Sequence, residues 1–369
     1  MKLNSFKLPL CLIFLGYVLV SVTHAAAPGP ALLQAKSEAE AKGYIFLTDH
    51  DEIVAKAKKE GNLRVLSVSR ALKLLLPAFK AQYPFLNVDG NEQQGTDTHE
   101  RFILELKAGR VKYWDVTHLG SEFYNEYLPY LRRFDILGMA NHKVLRIPPP
   151  VVDSTNRNVV SANTQIQVVV YNNKLVAAEK VPGTWEDFLK PEYKGEKFAA
   201  DIRPTEIAAL VPLWGLEKTL DFSRKIAAQQ PVWIRGAARA IVSVSLGEIP
   251  MLMGANLGSV VRAAEADPTK SLGFKIVEPV PVRLSDTEAV IGSAQHPYAG
   301  LLWLKFRVSR QGQEILDKLA EGSGLLQGST NEKFVQGKRL SVVSWDQITR
   351  LQEYQQKIVE AYGFPKAQK

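Results

Sequence analysis

The chain has 369 residues, of which 46% are hydrophobic and 23% charged, with one cysteine and a formal net charge of +8. That length suits two domains with ample cores, and a single cysteine excludes an intrachain disulfide framework. Lysines and arginines are dispersed rather than clustered, which speaks against nucleic-acid binding and leaves a solvated surface, an anionic small ligand or an acidic partner to account for the excess.

The first residues read as an export signal. Lys2 and Lys7 precede an uncharged apolar block from Leu8 to Val22, too short for a comfortable membrane span, and Thr23-His24-Ala25 supplies small residues at the exit. Cleavage is expected after Ala25. Cys11 lies inside this segment behind Leu8-Pro9-Leu10, a poor lipoprotein box, so the mature chain is expected to carry no cysteine and to be soluble in the periplasm.

Helical and strand patterns then alternate. Asp51–Glu60 is predicted as a helix, capped by Thr48 or Asp49, with lysines in its last turn and Gly61 as its stop. Leu63-Arg64-Val65-Leu66 reads as a short strand. Leu72, Leu75, Leu76 and Phe79 recur at helical spacing until Tyr83-Pro84. A strand over 87–94, a helix over 100–108 with Phe102, Ile103 and Leu106 inward, and a strand over 115–119 follow. Such alternation predicts an α/β fold with a mostly parallel sheet.

Two extended apolar runs interrupt this order. One spans 159–171 and contains "IQVVVYN"; the other, "FKIVEPVPV" over 274–282, is broken by Pro279 and Pro281. Between them lie "TWEDFLKPEYKGEKFA", a helical stretch from Thr205 to Gln229 and "IVSVSLGEIPMLMGAN". The pattern describes a chain that leaves one lobe, builds a second and returns. A helix over 344–362, with Leu351, Tyr354 and Ile358 inward, is expected to pack back on the first lobe. Trp185 reads as core, and Met251 and Met253 as alternating positions of a strand rather than metal ligands.

Enzyme motifs are missing from the sequence. There is no G-x-S-x-G elbow, no P-loop, no H-E-x-x-H, and no cysteine nucleophile beyond the signal segment. His50, His99, His118, His142 and His296 show no ligand spacing, and His296, in "QHPYAG", has the place of a helix start.

In "AKAKKEGNLRVLSVS", "LLPAFKAQYP", "ERFILELKAGRVKYWDV", "VVVYNNKLV", "VPGTWEDFLKPEYKGEKFAADIRP", "LGEIPM" and "HPYAGLLWLKFRVSRQGQEIL", the chain resembles the periplasmic substrate-binding proteins of ABC importers, in the branch related to ferric-iron-binding proteins. The resemblance implies a two-lobed type II fold: residues 26–164 with 280–369 forming lobe 1, residues 165–279 forming lobe 2, and a ligand cleft between them. It implies no catalysis, no cofactor, a small-molecule solute, ABC permease subunits as partners and a monomer. The strand tip Ser67-Val68-Ser69-Arg70 is then expected to face the ligand, though the serines also suit plain helix capping. Ligands in open α/β sheets sit beyond the carboxyl ends of strands. That nominates Gly95-Thr96-Asp97-Thr98 and Gly120-Ser121 from the first lobe, and Asp201-Ile202-Arg203-Pro204-Thr205 and Gly254-Ala255-Asn256 from the second. For each, a turn or a cap is the other reading.

Iron-binding members hold ferric ion with a histidine, a glutamate and two adjacent tyrosines. Those positions fall near Arg70, Gly120 and Leu257 here, and no adjacent tyrosine pair occurs. Direct iron coordination of that kind is therefore not expected. Arg70 and Arg203, beside predicted helix starts, favour an anionic head group such as carboxylate, phosphonate or phosphate. Alternatives are a ferric complex held through its anion and a ligand-binding subunit of a sensor system.

Overall fold

The computed structural model describes residues 28–93, 96–120, 123–326 and 328–364. The segment expected to act as an export signal, with Cys11, and Gly95 and Ser121 of the nominated site, lie outside the described residues.

The first strand, β1 (Asn62–Ser67), follows a helix His50–Glu60 whose end is set locally. Asp49 accepts from the Asp51 amide at the start, and Gly61 adopts φ 68° at the end, a conformation that favours glycine. Next come the helix Leu72–Gln82, β2 (Asn87–Glu92), the helix Thr96–Lys107 and β3 (Val116–His118). β1 pairs in parallel with β2 and β3, as the alternation predicted.

β4 (Val159–Asn172) is 14 residues long, about 46 Å at 3.3 Å per residue. Its first half, through Ile166, pairs antiparallel with β9 (Val280–Val290). From Gln167 it pairs instead with β7 (Met251–Asn256), and its end also pairs with β8 (Leu272–Lys275). One strand thus belongs to both lobes, and the change of partner falls at Ile166 and Gln167. β5 (Ala199–Asp201) pairs in parallel with β6 (Val232–Ile234) and β7, and β10 (Leu340–Val343) in parallel with the start of β9. Each lobe therefore contains a set of parallel strands, and among the described residues every antiparallel strand pair involves β4 or β9.

Alternation of side chains builds the second lobe in two layers. Val169, Met251 and Met253 face a core with Trp185, Phe188, Phe198 and Phe222, whereas Val168, Val170 and Leu252 face one with Ile241, Val244 and Val260. The methionines are strand positions, and Trp185 is fully buried with Nε1 donating to the Pro279 carbonyl at 2.9 Å. The first lobe closes around Phe79, Phe134, Trp303 and Phe306.

Three expectations need correction. The run 274–282 is not one crossing strand: β8 ends at Lys275, β9 begins at Val280, and the two pair with different stretches of β4. The helical stretch 205–229 is three helices, Thr205–Ala208, Val211–Trp214 and Leu216–Ala228, because Pro212 lacks an amide hydrogen and Gly215 takes φ 78°. Finally, the segment 344–362 does not return whole to the first lobe. Trp345 and Ile348 of the short helix Trp345–Ile348 join the first core, but Leu351, Tyr354, Ile358 and Tyr362 of the helix Leu351–Tyr362 complete the second. That inward stripe finds its apolar partners on Phe222 and Ile226 of the helix Leu216–Ala228.

Candidate functional site

Three hollows meet where β4 and β9 pass between the lobes, and Gln165 borders all three. The largest has a volume of about 640 Å³. Its neighbours have about 340 Å³ on the first-lobe side and about 180 Å³ beneath the start of the helix Leu257–Ala266.

Of the nominated residues, Asp201, Arg203, Thr205 and Asn256 border the largest hollow, together with Gly254. The Asp201 carboxylate accepts from the Arg203 amide at 2.9 Å and the Gly236 amide at 3.1 Å, so its oxygens are used within the loop. Arg203 Nε lies 3.7 Å from the same carboxylate, yet the side chain is 60% exposed. The Thr205 hydroxyl accepts from Gln355 Nε2 at 2.9 Å. Asn256 caps the helix behind it, accepting from the Ser259 amide at 3.2 Å, and also borders the smallest hollow. Capping and cleft position coexist there, as the two readings of these loops allowed.

The first-lobe residues are less uniform. Gly120 borders the middle hollow. Ser67 is fully buried, its hydroxyl donating to Glu288 and accepting from Arg307 Nη1 at 2.9 Å. It belongs to the lobe interior, because Arg307 sits behind the β1 tip and also pairs with Asp286 at 3.1 Å and Glu288 at 2.8 Å. Ser69 is buried as well. Its hydroxyl donates to Glu321 Oε2 at 2.8 Å and accepts from the Ala71 amide at 3.2 Å, so it ties the strand tip to a residue bordering the smallest hollow. Arg70 is exposed and bears electrostatically on Arg262 of that hollow. Thr96 and Asp97 open the helix Thr96–Lys107, and Asp97 is exposed.

Residues that sequence reasoning passed over also border the cleft. Gln165 accepts from Arg283 Nη2, which joins the two crossing strands at the cleft floor. Its signal was the polar stretch Asn163-Thr164-Gln165, with Gln167, in the middle of a strand that is apolar on either side at Val159-Val160 and Val168-Val169-Val170. His99 and His118 meet with ring centroids 5.4 Å apart beside the middle hollow. Linear spacing could not reveal this, since the pair is made by a helix start and a strand end. Burial holds both imidazoles neutral and pushes His118 down to about 3. The Gly120 position, where a family glutamate would stand, is flanked by the His99 ring at 3.4 Å from an ideal Cβ. Leu257, at the tyrosine position, is buried. Among the described residues, no group of three or more His, Cys, Asp or Glu side chains is arranged to hold a metal ion.

Burial also changes the acids. Asp286 is pushed up to about 6 despite Arg307, and Glu206, on the wall of the largest hollow, is pushed up to about 8. Desolvation disfavours the charged carboxylate in both. Near neutral pH Glu206 therefore adds little negative charge to the largest hollow, while Arg203 keeps an exposed guanidinium. The arrangement suits binding of a polar molecule between two surfaces.

The family model for bacterial extracellular solute-binding proteins matches residues 138–350. No curated protein matches. Among solved structures, the chain is similar to iron-bound HitA from Pseudomonas aeruginosa, with 17% identity, a TM-score of 0.58 and 82% of this chain aligned to 99% of that one. It is similar to IdiA (FutA) from Trichodesmium in complex with iron and citrate, with 15% identity, a TM-score of 0.65 and coverages of 82% and 98%. A third is the substrate-binding protein of an ABC transporter from Agrobacterium tumefaciens, with 16% identity, a TM-score of 0.58 and coverages of 82% and 94%. These likenesses establish the two-lobed α/β fold of type II periplasmic binding proteins.

Proposed function

We propose that this chain, which belongs to the bacterial extracellular solute-binding protein family, captures a small anionic solute in the periplasm and delivers it to the permease of an ABC importer. Export would remove residues 1–25, and the mature protein would act as a monomer without chemistry on its cargo. The observation that carries the anionic reading is Arg203: its guanidinium is 60% exposed on the wall of the largest hollow, where the acids are bonded to backbone amides or held largely protonated by burial. The family and the transporter-associated Agrobacterium neighbour support the delivery step.

Closure follows from the topology. β4 and β9 connect the lobes, and a hinge motion about them would bring Arg203 and Asn256 of one lobe toward Gly120 and the Ser69–Arg70 tip of the other. A ligand drives such closure only if it binds the closed state better, which requires contacts to both lobes. Likeness to proteins bound to iron and to iron with citrate favours a second reading, a ferric complex held through its anion.

Mass spectrometry of the compound released by mild denaturation of natively extracted protein identifies the cargo, and its visible absorption separates a ferric complex from a plain anion. Calorimetry with that compound then tests Arg203. Truncating one partner of a desolvated charge pair costs about 2–5 kcal/mol, so Arg203→Ala should weaken binding by roughly thirtyfold or more, with thermal stability of the ligand-free protein nearly unchanged. Arg203→Lys should recover only part, because lysine has no bidentate fork. Unchanged affinity in Arg203→Ala removes this residue from the site.

A further inference from the structure

Glu206 is the most unusual group on the cleft wall. It lies in the one-turn helix Thr205–Ala208 and is 2% exposed, and its Oε1 meets no hydrogen-bond partner. The carboxyl is held against Gly254 of β7, where an ideal Cβ would fall 2.3 Å from Glu206 Cγ; a side chain at position 254 would displace it. The buried Tyr362 hydroxyl also lacks a partner, and the Glu206 carboxyl bears on it electrostatically. Glu206 and Gly254 both border the 640 Å³ hollow that holds Arg203. Buried polar groups are nearly always hydrogen-bonded, so an unpartnered carboxyl oxygen on a residue that borders a cavity points to a partner that enters it.

Resting on the anionic reading above, we propose that Glu206 donates a carboxyl O–H to an oxygen of the bound anion, so that the cargo is an oxyanion recognised by Arg203 and a neutral acid together. An ionised carboxylate there could only repel such a ligand, whereas its protonated form is a donor. Burial favours that form and pushes Glu206 up to about 8, with the nearby Asp201 carboxylate of β5 adding to the rise. The titratable group acting on it is Asp201; Tyr362, from the helix Leu351–Tyr362, has its hydroxyl pushed well above its usual range by burial and so stays neutral. β7 contributes Gly254 there, and Gln355 on the last helix is neutral.

The sign follows directly. Only the protonated form binds, so affinity is full below about pH 8 and falls as pH rises through that value. Sulfate is the probe, since its own charge is constant across the range. Calorimetry of wild-type protein should show sulfate affinity falling about thirtyfold between pH 7 and 9.5, the ratio expected for a group titrating near 8. Glu206→Gln, which keeps the shape and a weaker donor, should bind several-fold less tightly at pH 7 and vary less than about threefold with pH. Carbon-13 NMR of the glutamate carboxyls in ligand-free protein should show one resonance titrating near pH 8 that Glu206→Gln lacks. Absence of that resonance overturns the proposal whatever the cargo is. Its presence together with sulfate binding that is independent of pH, or that strengthens as pH rises, overturns the role at the site. Failure of sulfate to bind wild type at either pH, with the resonance present, overturns the anionic reading on which the proposal rests.

Discussion

Replacing Arg307 by methionine should destabilise the first lobe more than any surface change could. Arg307 is fully buried, bonded to Ser67, Glu288 and Asp286, with its guanidinium beside the Trp303 ring. Methionine fills similar volume, so the effect isolates the lost charge rather than a cavity. Two buried carboxyls then lose their cation, and removing one partner of a buried pair typically costs about 3–5 kcal/mol. The loss has a pH signature. Asp286 is already pushed up to about 6 in the intact protein, with burial outweighing Arg307. A folded pKa above the unfolded one means that ionisation works against the fold as pH rises through that window. Without Arg307 the Asp286 value climbs further, so the deficit of the variant should open as pH rises through about 6 and be smaller at pH 5 than at pH 7.5. Urea unfolding followed by tryptophan fluorescence at both pH values measures it. Adding Asp286→Asn and Glu288→Gln should recover at least half of the loss. A deficit below about 1 kcal/mol at pH 7.5, or equal deficits at the two pH values, would refute the account of Arg307 as the counter-ion that keeps these acids buried.

Gly254→Ala should lower stability by about 1–3 kcal/mol, the usual cost of overpacking, because the new methyl falls 2.3 Å from Glu206 Cγ. Thermal unfolding should show Gly120→Ala, whose methyl would approach nothing nearer than the His99 ring at 3.4 Å, as much milder, and equal effects would contradict this packing. N-terminal sequencing of periplasmic material should begin at Ala26; intact membrane-held protein, or lipid on Cys11, would refute export by a cleaved signal.

The alternation of apolar patterns made the α/β class and the two extended runs legible. β4 and the helix His50–Glu60 fall within a residue of their expected spans. The second crossing was displaced because Phe274 and Val280 belong to different strands, which pairing partners decide and composition does not. The cleft loops Asp201–Thr205 and Gly254–Asn256 were legible as strand ends. The burial of Ser67 was not, since it depends on Arg307, 240 residues away. Nor was the acid on the wall of the largest hollow. Glu206 reads as an ordinary first-turn glutamate until Gly254 is brought against it.

The helix Leu351–Tyr362 has a consequence for how the protein is made. It supplies Tyr354, Ile358 and Tyr362 to a core whose first strand residue is Val169. A ribosome must therefore add nearly two hundred further residues before that core is whole, and contacts so distant in sequence form slowly. The second lobe should accordingly stay unfinished until Tyr362 is free to pack, and a chain exported as proposed would complete it only after nearly all of its length has crossed the membrane.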